Sequence, residues 1–122
     1  MITVNKKIDK FSVDAIRFVV TQVVHGLSYI HSKQIIHCDI KPGNILFNKE
    51  FVVKLCDFGS IRKYDDQFIV EYNADSPYLN GTMEYMSKDA LQGKKVDYSE
   101  DVWGLGCTVF FMTTGGHAFK RE

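Results

Sequence analysis

Apolar residues recur at three- and four-residue steps from Ile16 through Val20, Val23 and Leu27 to Ile30. That spacing lines one face of an α-helix and predicts a helix packed on a core. Ser12 stands where an N-cap belongs, and Asp14 falls in the first turn, where the helix dipole favours an acid. The pattern stops near His31 and Ser32, while the first ten residues are polar and read as a loop or frayed start. Short runs follow. Ile35-Ile36 is brief, and the stretches Asn44 to Phe47 and Phe51 to Leu55 flank Asn48-Lys49-Glu50, which predicts a β-hairpin. Between Ile36 and Ile45 lies a polar loop stiffened by Pro42. Beyond Asp57-Phe58-Gly59, about thirty residues run to Met86 without clear periodicity, a length more often functional than accidental in a compact domain. A last helix is predicted from Ser99 as N-cap, with Glu100 and Asp101 in its first turn, to a stop at Gly115 or Gly116. Its interior carries Val102, Trp103, Leu105, Cys107, Val109, Phe110, Phe111 and Met112, apolar around the whole circumference, so it calls for neighbours on every side.

Composition narrows the classes. With 122 residues, 45% of them hydrophobic, the chain suits one globular domain or part of a larger one and is too apolar for a disordered tail. Fifteen basic against fifteen acidic side chains argue against a nucleic-acid or membrane-surface partner held mainly by charge. The longest apolar stretch, around Val109 to Met112, is far too short to span a bilayer, and no secretory leader pattern opens the sequence. Cys38, Cys56 and Cys107 form no CxxC pair, so reduced thiols acting as small apolar side chains are expected. That fits a cytoplasmic setting and leaves a nuclear one open. His25, His31, His37 and His117 lack zinc-ligand spacing.

Two segments carry chemistry: His37-Cys38-Asp39-Ile40-Lys41-Pro42-Gly43-Asn44 and Asp57-Phe58-Gly59. Asp39 and Asp57 offer carboxylates and Asn44 a carboxamide oxygen. Hard oxygen donors of this kind suit Mg²⁺, which keeps several waters and takes one or two carboxylates plus phosphate oxygens. Lys41, two residues from Asp39, would bring a positive charge near a transferring phosphoryl group.

These segments resemble the eukaryotic-type protein kinase family. Its catalytic loop reads H-R-D with an Asn five residues on, followed by D-F-G and A-P-E. Here HCDIKPGN matches the first with Cys38 in place of Arg, and Asp57 follows Asp39 by 18 residues, the family's spacing. GTMEYM (Gly81 to Met86) is similar to the GTxxYM segment before A-P-E, and DVWGLGC (Asp101 to Cys107) to the DVWSLGC start of the large lobe's central helix. YIHSKQIIH (Tyr29 to His37) resembles the stretch leading into the catalytic loop. The resemblance covers about Phe11 to Phe119 and implies an α+β fold, here the mainly helical large (C-terminal) lobe with short β-hairpins. It implies a catalytic loop at 37–44, a metal loop at 57–59, an activation segment at 57–89 and a central helix at about 99–114. By the same resemblance Asp39 is the catalytic base, Asn44 and Asp57 are the Mg²⁺ ligands, and Lys41 steadies the γ-phosphate of ATP. The KPxN loop, with Thr82 as a specificity residue, implies transfer to serine or threonine of a protein substrate. Phe58, His37 and Asp101 are implied to be structural.

The departures carry consequences. A thiol at Cys38 cannot make the charge-assisted contact by which the family's arginine reads a phosphorylated activation loop. A-P-E becomes Ser87-Lys88-Asp89, and the arginine that pairs with its acid in the family is not reached before Glu122. The activation segment is several residues longer than usual, with Ser60, Tyr72, Ser76 and Tyr78 as candidate phosphoacceptors. No glycine-rich loop, β3 lysine or helix-C glutamate is found, so the small ATP-gripping lobe is expected to be absent. The chain alone is then expected to be inactive, because positioning supplies most of the catalysis in phosphoryl transfer. Two functions follow: part of an active serine/threonine kinase, or a non-catalytic kinase-like module that binds a kinase, substrate or regulator. Having Asp39, Lys41, Asn44 and Asp57 together favours the first. The second reading calls for a partner, or a second copy, that covers the apolar last helix; the first expects the isolated chain to be loosely folded or aggregated.

Overall fold

A computed structural model describes residues 11–48, 50, 52–64 and 83–120. The first helix, α1 (Val13–Ser32), starts as expected: the Ser12 hydroxyl oxygen accepts the Ala15 N–H at 3.1 Å. It buries Val19, Val23 and Leu27, with Ile16, Val20 and Ile30 half-buried beside them. Val19, outside the expected stripe, is thus nearer the centre of the buried face than Val20. The expected frayed start at residues 1–10 lies outside the described residues.

Among the described residues four short strands follow. The hairpin is β2 (Ile45–Phe47) against β3 (Val53–Leu55), antiparallel, with Ile45 opposite Leu55. Asn48 shapes its turn by accepting the N–H groups of Glu50 and Val52 on its side-chain oxygen, at 3.0 and 2.8 Å. Gln22 of α1 accepts the Val53 N–H at 2.9 Å and fixes helix to hairpin. The second pairing escaped the sequence pattern. Here β1 (Ile35–Ile36) runs antiparallel to β4 (Arg62–Lys63), with Ile36 opposite Arg62. Strands of two residues are too short to show a period.

A one-turn helix, α2 (Lys88–Leu91), precedes α3 (Ser99–Thr114). Ser99 is not the N-cap of α3; Tyr98 takes that place. The acceptor comes from Asp97, whose carboxylate takes the Ser99 N–H at 2.8 Å and the Ser99 hydroxyl as well. Those bonds hold the Asp97 carboxyl below the usual carboxylate range. Gly115 ends α3 in the left-handed region at φ 79°, the place for a residue without Cβ.

The core joins Val19, Val23 and Leu27 of α1 to Ile40, Ile45, and Leu105 and Met112 of α3. Among the described residues the apolar circumference of α3 is covered on one side. Leu105 and Met112 are buried, while Val102 and Phe110 are 61% and 45% exposed. Trp103 stacks on Phe119 at 5.3 Å beside them, its indole N–H buried with no hydrogen-bond partner among the described residues. On the core side Gly104 lies so near the preceding loop that a Cβ there would stand 2.6 Å from the Ile40 carbonyl oxygen. Among the described residues no helix is long and apolar enough to cross a membrane.

Candidate active site

The segment from Ile36 to Ile40, expected as a polar loop, is buried throughout. Irregular buried backbone needs acceptors for its N–H groups. Asp101, in the first turn of α3 and itself only 1% exposed, supplies two of them. Its carboxylate oxygens accept the N–H groups of His37 and Cys38, each at 2.9 Å, and one of them also bonds His31 Nε2 at 2.8 Å. Cys38 sits at φ 68°, a left-handed conformation that non-glycine residues seldom adopt. The Asp101 bonds hold it there.

His37 makes the next link. Its Nε2–H donates to the Cys56 carbonyl oxygen at 2.9 Å, and its Nδ1 accepts the Asp39 N–H at 3.1 Å. Its ring meets Phe58 edge-on with centroids 5.1 Å apart. The loop bearing Asp39 is thereby fastened to the end of β3, where the chain turns into Asp57. Asp57 adopts φ 56°, and its Oδ1 accepts the Gly59 N–H at 3.3 Å.

Around Asp39 three of the expected site residues converge. The Asn44 side-chain nitrogen donates to the Asp39 carbonyl oxygen at 2.8 Å and to its Oδ2 at 3.0 Å. The Lys41 ammonium lies 3.7 Å from the same Oδ2. Burial pushes the Asp39 carboxyl up; Lys41 and the Asn44 hydrogen bond pull it down, and Asp57 adds to the rise. Pro42 opens the short 3-10 turn Pro42–Asn44 that brings Asn44 back toward Asp39. Asp57 stays exposed, facing solvent. Thr82, Tyr72, Ser76 and Tyr78 lie outside the described residues, while Ser60 is half-buried in the turn after Phe58.

Donor chemistry decides whether Mg²⁺ fits. With its nitrogen committed to Asp39, Asn44 can turn only its carboxamide oxygen toward a cation, and Asp57 offers an exposed carboxylate. Among the described residues no group of three or more His, Cys, Asp or Glu gathers as a metal centre. Two hard oxygen donors and no nitrogen or sulfur donor suit a cation that completes its shell with water and phosphate. The residues fit.

Two participants went unforeseen. His31 was read only as the end of a helix, yet it bonds Asp101. Arg62, placed opposite Ile36, acts on the Cys38 thiol as a nearby positive charge. A guanidinium therefore stands beside the position where the family's arginine is missing. Burial and Asp101 nevertheless push the Cys38 thiol up to about 12.

Comparison with known proteins agrees with this arrangement. The protein kinase domain model matches residues 1–122. Striated muscle preferentially expressed protein kinase of Danio rerio is 38% identical over 109 residues, 89% of this chain and 4% of its own length. Identity is also 38% to 3-phosphoinositide-dependent protein kinase 1 of Arabidopsis thaliana, over 91% of this chain and 24% of that protein. With mitogen-activated protein kinase kinase kinase 17 of Arabidopsis thaliana it is 36%, over 81% of this chain and 25% of that protein. The chain thus spans a quarter or less of the length of these relatives. With residues 1–122 all inside the match to the family model, the chain belongs to the protein kinase domain family.

Proposed function

We propose that this chain supplies the phosphotransfer residues of a serine/threonine protein kinase, which moves the γ-phosphate of ATP to a protein hydroxyl. The convergence of Asn44 and Lys41 on one oxygen of Asp39 is the observation that carries it. Asn44 and Lys41 both face Oδ2, which leaves Oδ1 to receive the proton of a serine or threonine hydroxyl. As that proton passes to Asp39, the hydroxyl oxygen bonds to the γ-phosphorus and the bond to the ADP oxygen breaks. Lys41 stands close enough to Asp39 to face the charge on the transferring phosphoryl oxygens. Asn44 and Asp57 would hold Mg²⁺, which when bound neutralises phosphate charge. The His37 and Asp101 bonds keep these groups in fixed relation, and positioning is most of what this reaction asks of a protein.

Lys41 and Thr82 support serine or threonine over tyrosine as acceptor. A cytoplasmic setting belongs to the same proposal and rests on Cys38, Cys56 and Cys107 standing outside any disulfide. The test is transfer of labelled γ-phosphate to a protein substrate by the chain joined to the nucleotide-gripping lobe of a homologous kinase. Phosphoserine and phosphothreonine are the expected products; mostly phosphotyrosine contradicts the acceptor class.

The open face of α3 favours a second reading, a kinase-like module that docks on another protein. Val102 and Phe110 are exposed there beside Trp103. A single-sized complex that forms through this face, with no transfer activity in the joined protein, would decide for it.

A further inference from the structure

Glu100 opens α3 next to Asp101 but takes no part in holding the catalytic loop. It is 7% exposed, and a buried carboxylate is costly unless donors surround it. Both of its hydrogen-bond donors come from one residue. The Ser87 N–H reaches Oε1 at 3.1 Å and the Ser87 hydroxyl reaches Oε2 at 2.5 Å. Ser87 is also the N-cap of α2, its hydroxyl oxygen accepting the Ala90 N–H at 3.1 Å. A single side chain thus ties the start of α3 to the start of α2. Burial pushes the Glu100 carboxyl up, and the two Ser87 bonds draw it back down.

The family pattern puts the anchoring acid of this region at the third position of A-P-E, here Asp89, two residues after Ser87. Among the described residues no buried cation meets Asp89. Its side chain is 65% exposed, and the nearest cation, Lys94, is 4.0 Å away and 63% exposed. Exposed pairs of this kind hold little. A second tether supports the Glu100 side instead: the buried Tyr85 bonds His117 Nδ1 at 3.0 Å, just past the end of α3. The segment Met83–Leu91 is therefore pinned at both ends of α3.

We propose that Glu100 is a positioning residue that docks the end of the activation segment, Met83–Leu91, on α3 through Ser87. That this segment faces a protein substrate rests on the kinase function proposed above; the docking does not.

Hydrogen exchange of the 122-residue chain tests the docking without any phosphotransfer. Glu100→Ala and Ser87→Ala should each speed exchange of amides 86–91 by about tenfold, leaving the α1 amides 19–27 unchanged. Glu100→Gln should restore protection, because its amide can accept from the Ser87 N–H and donate to the Ser87 oxygen. Asp89→Asn should leave exchange as in the wild type. Faster exchange in Asp89→Asn with none in Ser87→Ala would overturn the proposal. So would failure of Glu100→Gln to restore protection. Should Glu100→Ala unfold the whole chain, Ser87→Ala decides alone: unchanged exchange there overturns the docking.

Discussion

His37 donates its Nε2–H to the Cys56 carbonyl oxygen at 2.9 Å, and so joins the loop that carries Asp39 to the strand end that leads to Asp57. The Cys56 N–H adds a second link by donating to the carbonyl oxygen of Asn44 at 2.9 Å, and Asn44 in turn bonds Asp39. The same loop hangs from α3 through Asp101. Two buried side chains, His37 and Asp101, thus help to fix Asp39 relative to Asp57.

Asp101→Ala should destabilise the fold by about 3 kcal/mol or more. It strands two buried N–H groups and removes the acceptor of His31. Urea unfolding followed by circular dichroism measures this. A loss under about 1 kcal/mol would mean that the loop finds its acceptors elsewhere.

Stability should fall as the solution is made alkaline. The Cys38 thiol is raised from its ordinary 9.0 to about 12. Above pH 9 the unfolded chain gives up that proton while the folded one keeps it, so folding loses ground between about 9 and 12. Tyr85, raised from 10.0 to about 12, acts in the same direction. Cys38→Ala should flatten the decline, read as midpoint against pH. An unchanged slope would show that the thiol is not shielded as its burial implies.

The open face of α3 should bind a hydrophobic dye. Glutamate at both Val102 and Phe110 should abolish that binding and leave the unfolding midpoint nearly unchanged, since each side chain is already substantially exposed. Absence of dye binding by the unaltered chain would show that this face is covered in solution.

Much of this was legible in the residues. The long stripe of α1, the Ser12 cap, the hairpin and the Gly115 stop all stand where periodicity and capping chemistry put them, because each depends on neighbours within a few positions. What was not legible depends on distant partners. The β1–β4 pairing rests on two residues per strand, and the burial of Ile36 to Ile40 on Asp101 in α3, 64 residues beyond His37. The helix begins one residue earlier than Ser99 would set it, because the Asp97 carboxylate takes both the N–H and the hydroxyl of Ser99 and draws that residue into the first turn. The split of α3 into a buried face at Leu105 and Met112 and an open one at Val102 and Phe110 depends on which side the loop at Ile40 approaches. The constellation of Asp39, Lys41 and Asn44 was readable as a motif, but the commitment of the Asn44 nitrogen to Asp39 was not. Nor was the role of Glu100, whose neighbour in sequence, Asp101, carries the recognisable motif.

The most direct measurement is Mg²⁺-dependent phosphotransfer by the chain joined to the nucleotide-gripping lobe of a homologous kinase, with Asp57→Ala and Asp39→Asn as variants. Asp57→Ala should abolish transfer, since it removes the one exposed carboxylate offered to the cation. Asp39→Asn should lower turnover by about 10²–10⁴-fold while nucleotide binding stays within about twofold of the parent. Wild-type turnover in Asp57→Ala would contradict the assignment of the site.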